Sequence, residues 1–150
     1  MKQKRFTKFI LLVDGIQKCI HKLRVDRAAD LGVKSVHVFW ILYLLDSPKG
    51  LTATELAAKS MVDRSLVSRE IAPLVRNGYI TSDASTEKRA YNARFRLTEK
   101  GVALARRIND VAESVRADVD EDISEEELAA FYTTLEKMHR NFLAVVAEDK

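Results

Sequence analysis

The chain has a single cysteine in 150 residues, so no internal disulfide can form. A lone thiol suits a reducing cytoplasm. Its three histidines, His21, His37 and His139, are scattered without the spacing of metal ligands. It has no glycine-rich phosphate loop and no nucleophile elbow. Each histidine therefore reads as a surface or satisfied interior residue, and no catalytic residue, metal or cofactor is expected. No stretch is long and apolar enough to span a membrane. The basic start through Arg5, with apolar residues after it, has the outline of a signal peptide. Asp14 interrupts that run, no small-residue cleavage site follows, and the apolar positions are periodic rather than continuous. A cytoplasmic protein of one domain, or two lobes of one, is expected.

Charge is small in total and uneven in place. The net charge is +3, made of +5 over residues 1–48, +4 over 49–100 and −6 over 101–150. A basic front with an acidic end is the electrostatic footprint of phosphate binding by one part of a chain. The acids Asp120 to Asp122 and Glu125 to Glu127 read as a solvated helix boundary. There Ser124 and Glu127 fit a capping box, and acids near a helix start suit its dipole.

Between Leu51 and Gly101 the order of parts points to nucleic acid. Thr52 and Glu55 fit the S/T-x-x-E capping box, so a helix starts near Thr52. After the break Ser60-Met61-Val62, Asp63 is a good N-cap for a second helix, and Gly78 stands where a left-handed residue would stop it. Two short helices with a tight break make a helix-turn-helix whose second member reads DNA. At about 100° per residue, Leu66, Val67, Ile71, Leu74 and Val75 gather on one side of that helix. Ser65, Ser68, Arg69 and Ala72 gather on the other. Serine hydroxyls can meet base edges or phosphates, and arginine can pair bidentately with guanine. A plain solvated helix face has the same pattern.

A hairpin follows. Tyr79-Ile80 begins one strand, and Ser82-Asp83-Ala84-Ser85 is turn chemistry. Tyr91, Ala93, Phe95 and Leu97 alternate with Asn92, Arg94 and Arg96, the period of a half-buried strand. Thr86-Glu87-Lys88-Arg89 makes a cationic tip, and an arginine there suits a narrow minor groove.

In this order the pieces are specific. Leu51-Thr52 with Glu55-Leu56-Ala57, Asn77-Gly78-Tyr79-Ile80, Lys88-Arg89-Ala90 and Leu97-Thr98-Glu99-Lys100-Gly101 resemble the MarR family of winged-helix transcription regulators. The resemblance implies a homodimeric DNA-binding repressor or activator, repression being the expected sign, released by a small ligand or an oxidant. It assigns DNA contact to Thr52, Arg64, Ser65, Ser68, Arg69, Lys88 and Arg89. Three features depart from the family pattern. Glu87-Lys88-Arg89 stands where the family has Asp-x-Arg, and Arg89 to Leu97 is two residues longer than expected. Pro73 falls inside the reading helix, where its ring meets the Arg69 carbonyl, so a kink or early loosening is expected.

The ends speak of a partner. Phe6, Phe9, Val13, Ile16, Ile20 and Leu23 are spaced 3-4-3-4-3, as are Leu128, Phe131, Leu135, Met138, Phe142 and Val145. This is the a/d seam of a coiled coil. Both ends are expected to pack together and against a second subunit, with Phe6, Phe9, Val13, Leu135, Met138 and Phe142 in the interface. Leu104, Ile108, Val111, Val115 and Val119 mark a long helix joining the wing to that lobe. Two-fold symmetry would set two reading helices about one DNA turn apart on a pseudo-palindromic operator.

The expected architecture is mainly α with a small β-hairpin wing, a single MarR-type domain over 1–150. A winged helix-turn-helix lobe spans 49–101, and a helical dimerisation lobe spans 1–30 and 102–150. The family resemblance places effectors in a crevice between the lobes. Ile16, His37 and Trp40 would line it, with a polar handle and an aromatic wall for an aromatic or phenolic effector. Ordinary packing of His37 and Trp40 is the competing reading. Some relatives sense hydroperoxides through a cysteine activated by tyrosines. Cys19 lies later in its helix, and Arg24 and Ser35 stand where those tyrosines would be, so a buried, inert thiol is expected. The alternative function is a winged-helix protein-interaction module without specific DNA binding, docking an acidic partner.

Overall fold

A computed structural model describes residues 2–83 and 92–148. Six helices and three strands are found among these residues. They are α1 (Lys2–Asp30), α2 (Ser35–Leu45), β1 (Leu51–Thr52), α3 (Ala53–Ser60), α4 (Arg64–Arg76), β2 (Ile80–Ser82), β3 (Arg94–Leu97), α5 (Glu99–Val119) and α6 (Glu125–Glu148). The mainly helical architecture with a small β element is the one expected. The sheet is antiparallel and ordered β1-β3-β2, so the expected two-strand hairpin gains a third strand. Leu51 pairs with Phe95 and Thr52 with Arg94, while Ser82 pairs with Phe95 from the other side. Ser82 is thus strand, not turn. Asp83 extends the ladder, its backbone N–H donating to the Arg94 carbonyl at 3.2 Å. Pairing across the ladder overrides the local turn preference of Ser82 and Asp83. Ala84 and Ser85, and the expected tip Glu87-Lys88-Arg89 with Tyr91, lie outside the described residues.

Local chemistry explains most helix ends. Thr52 accepts from the Glu55 backbone N–H and the Glu55 carboxylate accepts from the Thr52 N–H, so the capping box is complete. Met61 closes α3 in the left-handed region with φ 53°. Asp63 stands at the N-cap of α4, but its side chain makes no capping hydrogen bond. Its backbone carbonyl accepts from Leu66 and Val67 at 3.0 and 3.3 Å instead. Pro73 does not end α4, which continues to Arg76. Gly78 has φ +75°, with Gly78 N–H on Val75 O and Tyr79 N–H on Leu74 O. That is the Schellman arrangement, and it turns the chain from α4 into β2.

The chain divides into two compact units, residues 1–111 and 112–150. The first has its core between α2, α3, α4 and the start of α5. Trp40, Ile41, Leu56, Val67, Ile71, Leu74, Leu104 and Ile108 are buried there, joined by Leu51 and Ile80 from the sheet. Burying each large apolar side chain contributes about 1.5–3 kcal/mol, so this cluster holds the helix-turn-helix to its scaffold. Thr98 pins the base of the wing, its hydroxyl donating to Gly78 O at 2.6 Å and accepting from Gly101 N–H at 3.1 Å. In the second unit, α6 opens on the expected second capping box, Ser124 with Glu127. Its first turn carries Glu125, Glu126 and Glu127, and none of its residues is buried.

Candidate nucleic-acid interface

α4 is amphipathic in the sense a reading helix requires. Val67, Ile71 and Leu74 are buried. Ser65, Ser68 and Arg69 on the opposite side are exposed. Leu66 is half-buried, and Val75, expected on the apolar side, is exposed. The Arg69 side chain is 70 % exposed and lies 3.6 Å from Glu70 Oε1. Arg64, in the first turn, is half-buried. Thr52 is half-buried and its hydroxyl caps α3. Lys88 and Arg89 fall outside the described residues.

The wing's base is a lattice of charges. Arg94 donates to the Gly50 carbonyl at 2.7 Å and forks onto Glu55. Asp83 Oδ1 accepts from the Arg94 backbone N–H at 2.6 Å, and Oδ2 accepts from Arg96 at 3.4 Å. The Thr52 N–H first, and Arg94 behind it, hold the Glu55 carboxyl below the usual carboxylate range. The Arg94 N–H does the same for Asp83. Alternation placed Arg94 and Arg96 on the polar face of the strand but gave no hint of these partners.

Beneath α4 sits a group the sequence did not connect. Glu70 takes Lys34 at 2.7 Å, with His37 Nε2 at 3.8 Å and Arg69 beside it. Lys34 and Glu70 are 36 positions apart, so no local signal links them. Lys34 lowers the Glu70 pKa. Burial pushes the His37 pKa down, and Glu70 opposes it. Trp40 is fully buried and donates from Nε1 to Ser60 Oγ at 2.9 Å. His37 and Trp40 therefore pack under the winged helix, their rings 5.9 Å apart. Ile16 is exposed on α1 and lines a cavity of about 670 Å³ with Val13, His21, Arg24 and Phe39. Neither His37 nor Trp40 lines that cavity, so the expected trio is not brought together. Cys19 is exposed rather than buried.

The terminal stripes are present and largely uncovered. In α1, Phe6, Val13, Ile16, Ile20 and Leu23 are exposed and Phe9 is half-buried. Ile10, Leu11 and Leu12 are exposed as well, so the apolar surface of α1 is wider than one seam. In α6, Phe131, Phe142 and Val145 are exposed, while Leu128, Leu135 and Met138 are half-buried. No single helix among the described residues is long and apolar enough to cross a membrane.

The MarR family model matches residues 36–89. No curated protein matches the chain by sequence. Among solved structures, a MarR family protein from Bacillus stearothermophilus is similar at 22 % identity and TM-score 0.79, over 95 % of this chain and 99 % of that one. A MarR transcriptional regulator from Methanosarcina mazei is similar at 20 % identity and TM-score 0.80, over 92 % and 99 %. A MarR family transcriptional regulator from Silicibacter pomeroyi is similar at 22 % identity and TM-score 0.75, over 87 % and 86 %. The family comprises transcription regulators, not enzymes. The match to that family in sequence spans α2, α3, α4 and the start of the wing, and the likeness in fold runs along nearly the whole chain, so the fold is the winged helix of the MarR structures.

Proposed function

We propose that the protein is a sequence-specific DNA-binding transcription regulator, acting in the cytoplasm as a homodimer on a pseudo-palindromic operator, with repression as its sign. One observation carries this reading: α4 turns Ser65, Ser68 and Arg69 to solvent and Val67, Ile71 and Leu74 to the core. A small polar face carrying an exposed Arg69 fits a major groove, and the MarR-type fold supplies the setting. Lys88 and Arg89 are the proposed minor-groove contacts. The exposed apolar faces of α1 and α6 supply the proposed dimer surface. For release by an aromatic or phenolic effector, the proposed site is the cavity of Ile16, Arg24 and Phe39, with Phe39 taking the role of aromatic wall expected of Trp40.

Selection from random duplex DNA tests the reading. An enriched, two-fold symmetric sequence bound with steep salt dependence is expected. Arg69→Ala should then cost about 1–3 kcal/mol on that sequence and relax preference at one position per half-site. No enrichment, with only weak binding, would leave the protein-interaction module as the better account. Equal loss on selected and random DNA would confine Arg69 to phosphate contact.

A further inference from the structure

The strand that leads back from the wing is held by a carboxylate that also closes a helix. Glu55 Oε2 accepts from the Thr52 N–H at 2.8 Å, completing the start of α3. The same carboxylate takes Arg94, with Nη1 on Oε2 at 3.3 Å and Nη2 on Oε1 at 3.4 Å. Arg94 Nη1 also reaches the Gly50 carbonyl at 2.7 Å, and its backbone N–H reaches Asp83. One arginine thus ties the start of α3, the approach to β1 and the residue after β2. It is the first residue of β3, after the segment carrying Lys88 and Arg89.

Neither stability nor charge explains this joint. The Arg94 and Glu55 side chains are 40 % and 44 % exposed, and half-exposed ion pairs contribute little to stability. Near a DNA-binding surface the carboxylate is a liability, since it neutralises an arginine and repels phosphate. What a forked arginine–carboxylate pair supplies is direction.

We propose that Glu55 is a positioning residue for the wing. Through Arg94 it sets where Lys88 and Arg89 meet the duplex, and it touches no DNA itself. The proposal rests on the DNA-binding reading above and adds to it the residue that aims the wing.

Glu55→Gln is the informative change, because glutamine still serves at this position of a capping box while the charge that holds Arg94 is gone. The sign of the effect separates the explanations. Loss of a carboxylate by charge alone tightens DNA binding, whereas loss of positioning weakens it, by about five-fold for a coupling of ordinary size. In an Arg89→Ala background the further loss should fall below about two-fold, and in an Arg69→Ala background it should stay near five-fold. Arg94→Gln should reproduce the pattern from the other partner and keeps the test open if Glu55→Gln folds poorly. Tighter binding, or equal losses in all three backgrounds, overturns the proposal. A second measurement needs no DNA: spin labels at Ala58→Cys and Ser85→Cys, in a Cys19→Ser chain, report the distance from α3 to the wing. Glu55→Gln should broaden that distribution, and an unchanged width overturns the proposal. Broadening in a chain that binds no duplex would bring down the DNA-binding reading while leaving the brace between α3 and the wing in place.

Discussion

A Cβ on Gly101 would overlap the Tyr79 carbonyl oxygen and sit 3.1 Å from Leu97 Cδ2. The start of α5 thus touches the base of the wing backbone to backbone, and only glycine allows that approach. Gly101→Ala should destabilise the fold by about 3 kcal/mol, read from denaturant unfolding, because backbone cannot move aside as a side chain can. A loss under about 1 kcal/mol would mean that α5 and the wing can separate cheaply. His37 makes a second prediction, in pH. Burial lowers its pKa from the ordinary 6.5, while Lys34 also lowers it and Glu70 raises it. The unfolded chain therefore takes up this proton first as pH falls. Stability is full above about 6.5 and declines below it, down to the depressed folded value. The paired carboxylates Glu55, Glu70 and Asp83 are held below the ordinary range of 4.5 and 3.8, so their share is lost in a lower window. His37→Phe should flatten the stability profile just below pH 6.5 and leave the more acid loss intact. An unaltered slope there would mean that another group titrates.

At the scale of elements, α4 carries the tension between sequence and packing. Pro73 sits in its interior, removing the backbone donor that would meet Arg69 O, yet the helix runs on to Arg76. The buried row Val67, Ile71 and Leu74 spans the proline and holds both sides of it against one core. Pro73→Ala should restore the missing hydrogen bond and raise stability by up to about 3 kcal/mol. Calorimetry would show the gain, and a loss would mean that the pyrrolidine ring packs better than it bonds. The same helix shows what a sequence makes legible. Its stop at Gly78, the capping box of α3 and that of α6 depend on residues within a few positions of each other, and all three stand where their signals lie. β1 has only two residues and no period to read, so it was invisible. Arg94 with Glu55 and Lys34 with Glu70 are 39 and 36 positions apart, so their partners exist only once the fold brings them together. For the same reason the alternation could sort polar from apolar positions on α4 and β3 without saying which cations were already paired. His37 and Trp40 were readable as near neighbours on α2, but their burial was a property of the helices packed over them.

At the scale of the molecule, the question is what covers α1 and α6. The first is 29 residues long and exposes Phe6, Ile10, Leu11, Ile16 and Ile20. The second is 24 residues long and exposes Phe131, Phe142, Leu143 and Val145. Exposed apolar surface of this kind is costly in water and is the surface an interface would cover. The proposed homodimer would answer this cost, and it would also supply the second half-site of the proposed operator. Phe142→Asp tests both at once. An unpaired carboxylate in an apolar seam must shift its pKa or break the contact. Sedimentation at micromolar concentration should show a dimer for the native chain and a monomer, or aggregate, for the variant. Operator binding should fall with it although α4 and the wing are untouched, because two half-sites joined in one body gain from each other's presence. Half-site DNA should be bound as before by any variant that remains monomeric, since a single reading helix and wing are intact. A variant that stays dimeric would place the seam elsewhere on α1 and α6. A monomeric variant with undiminished operator affinity would show that one copy suffices, and the two-fold operator would then have no physical basis.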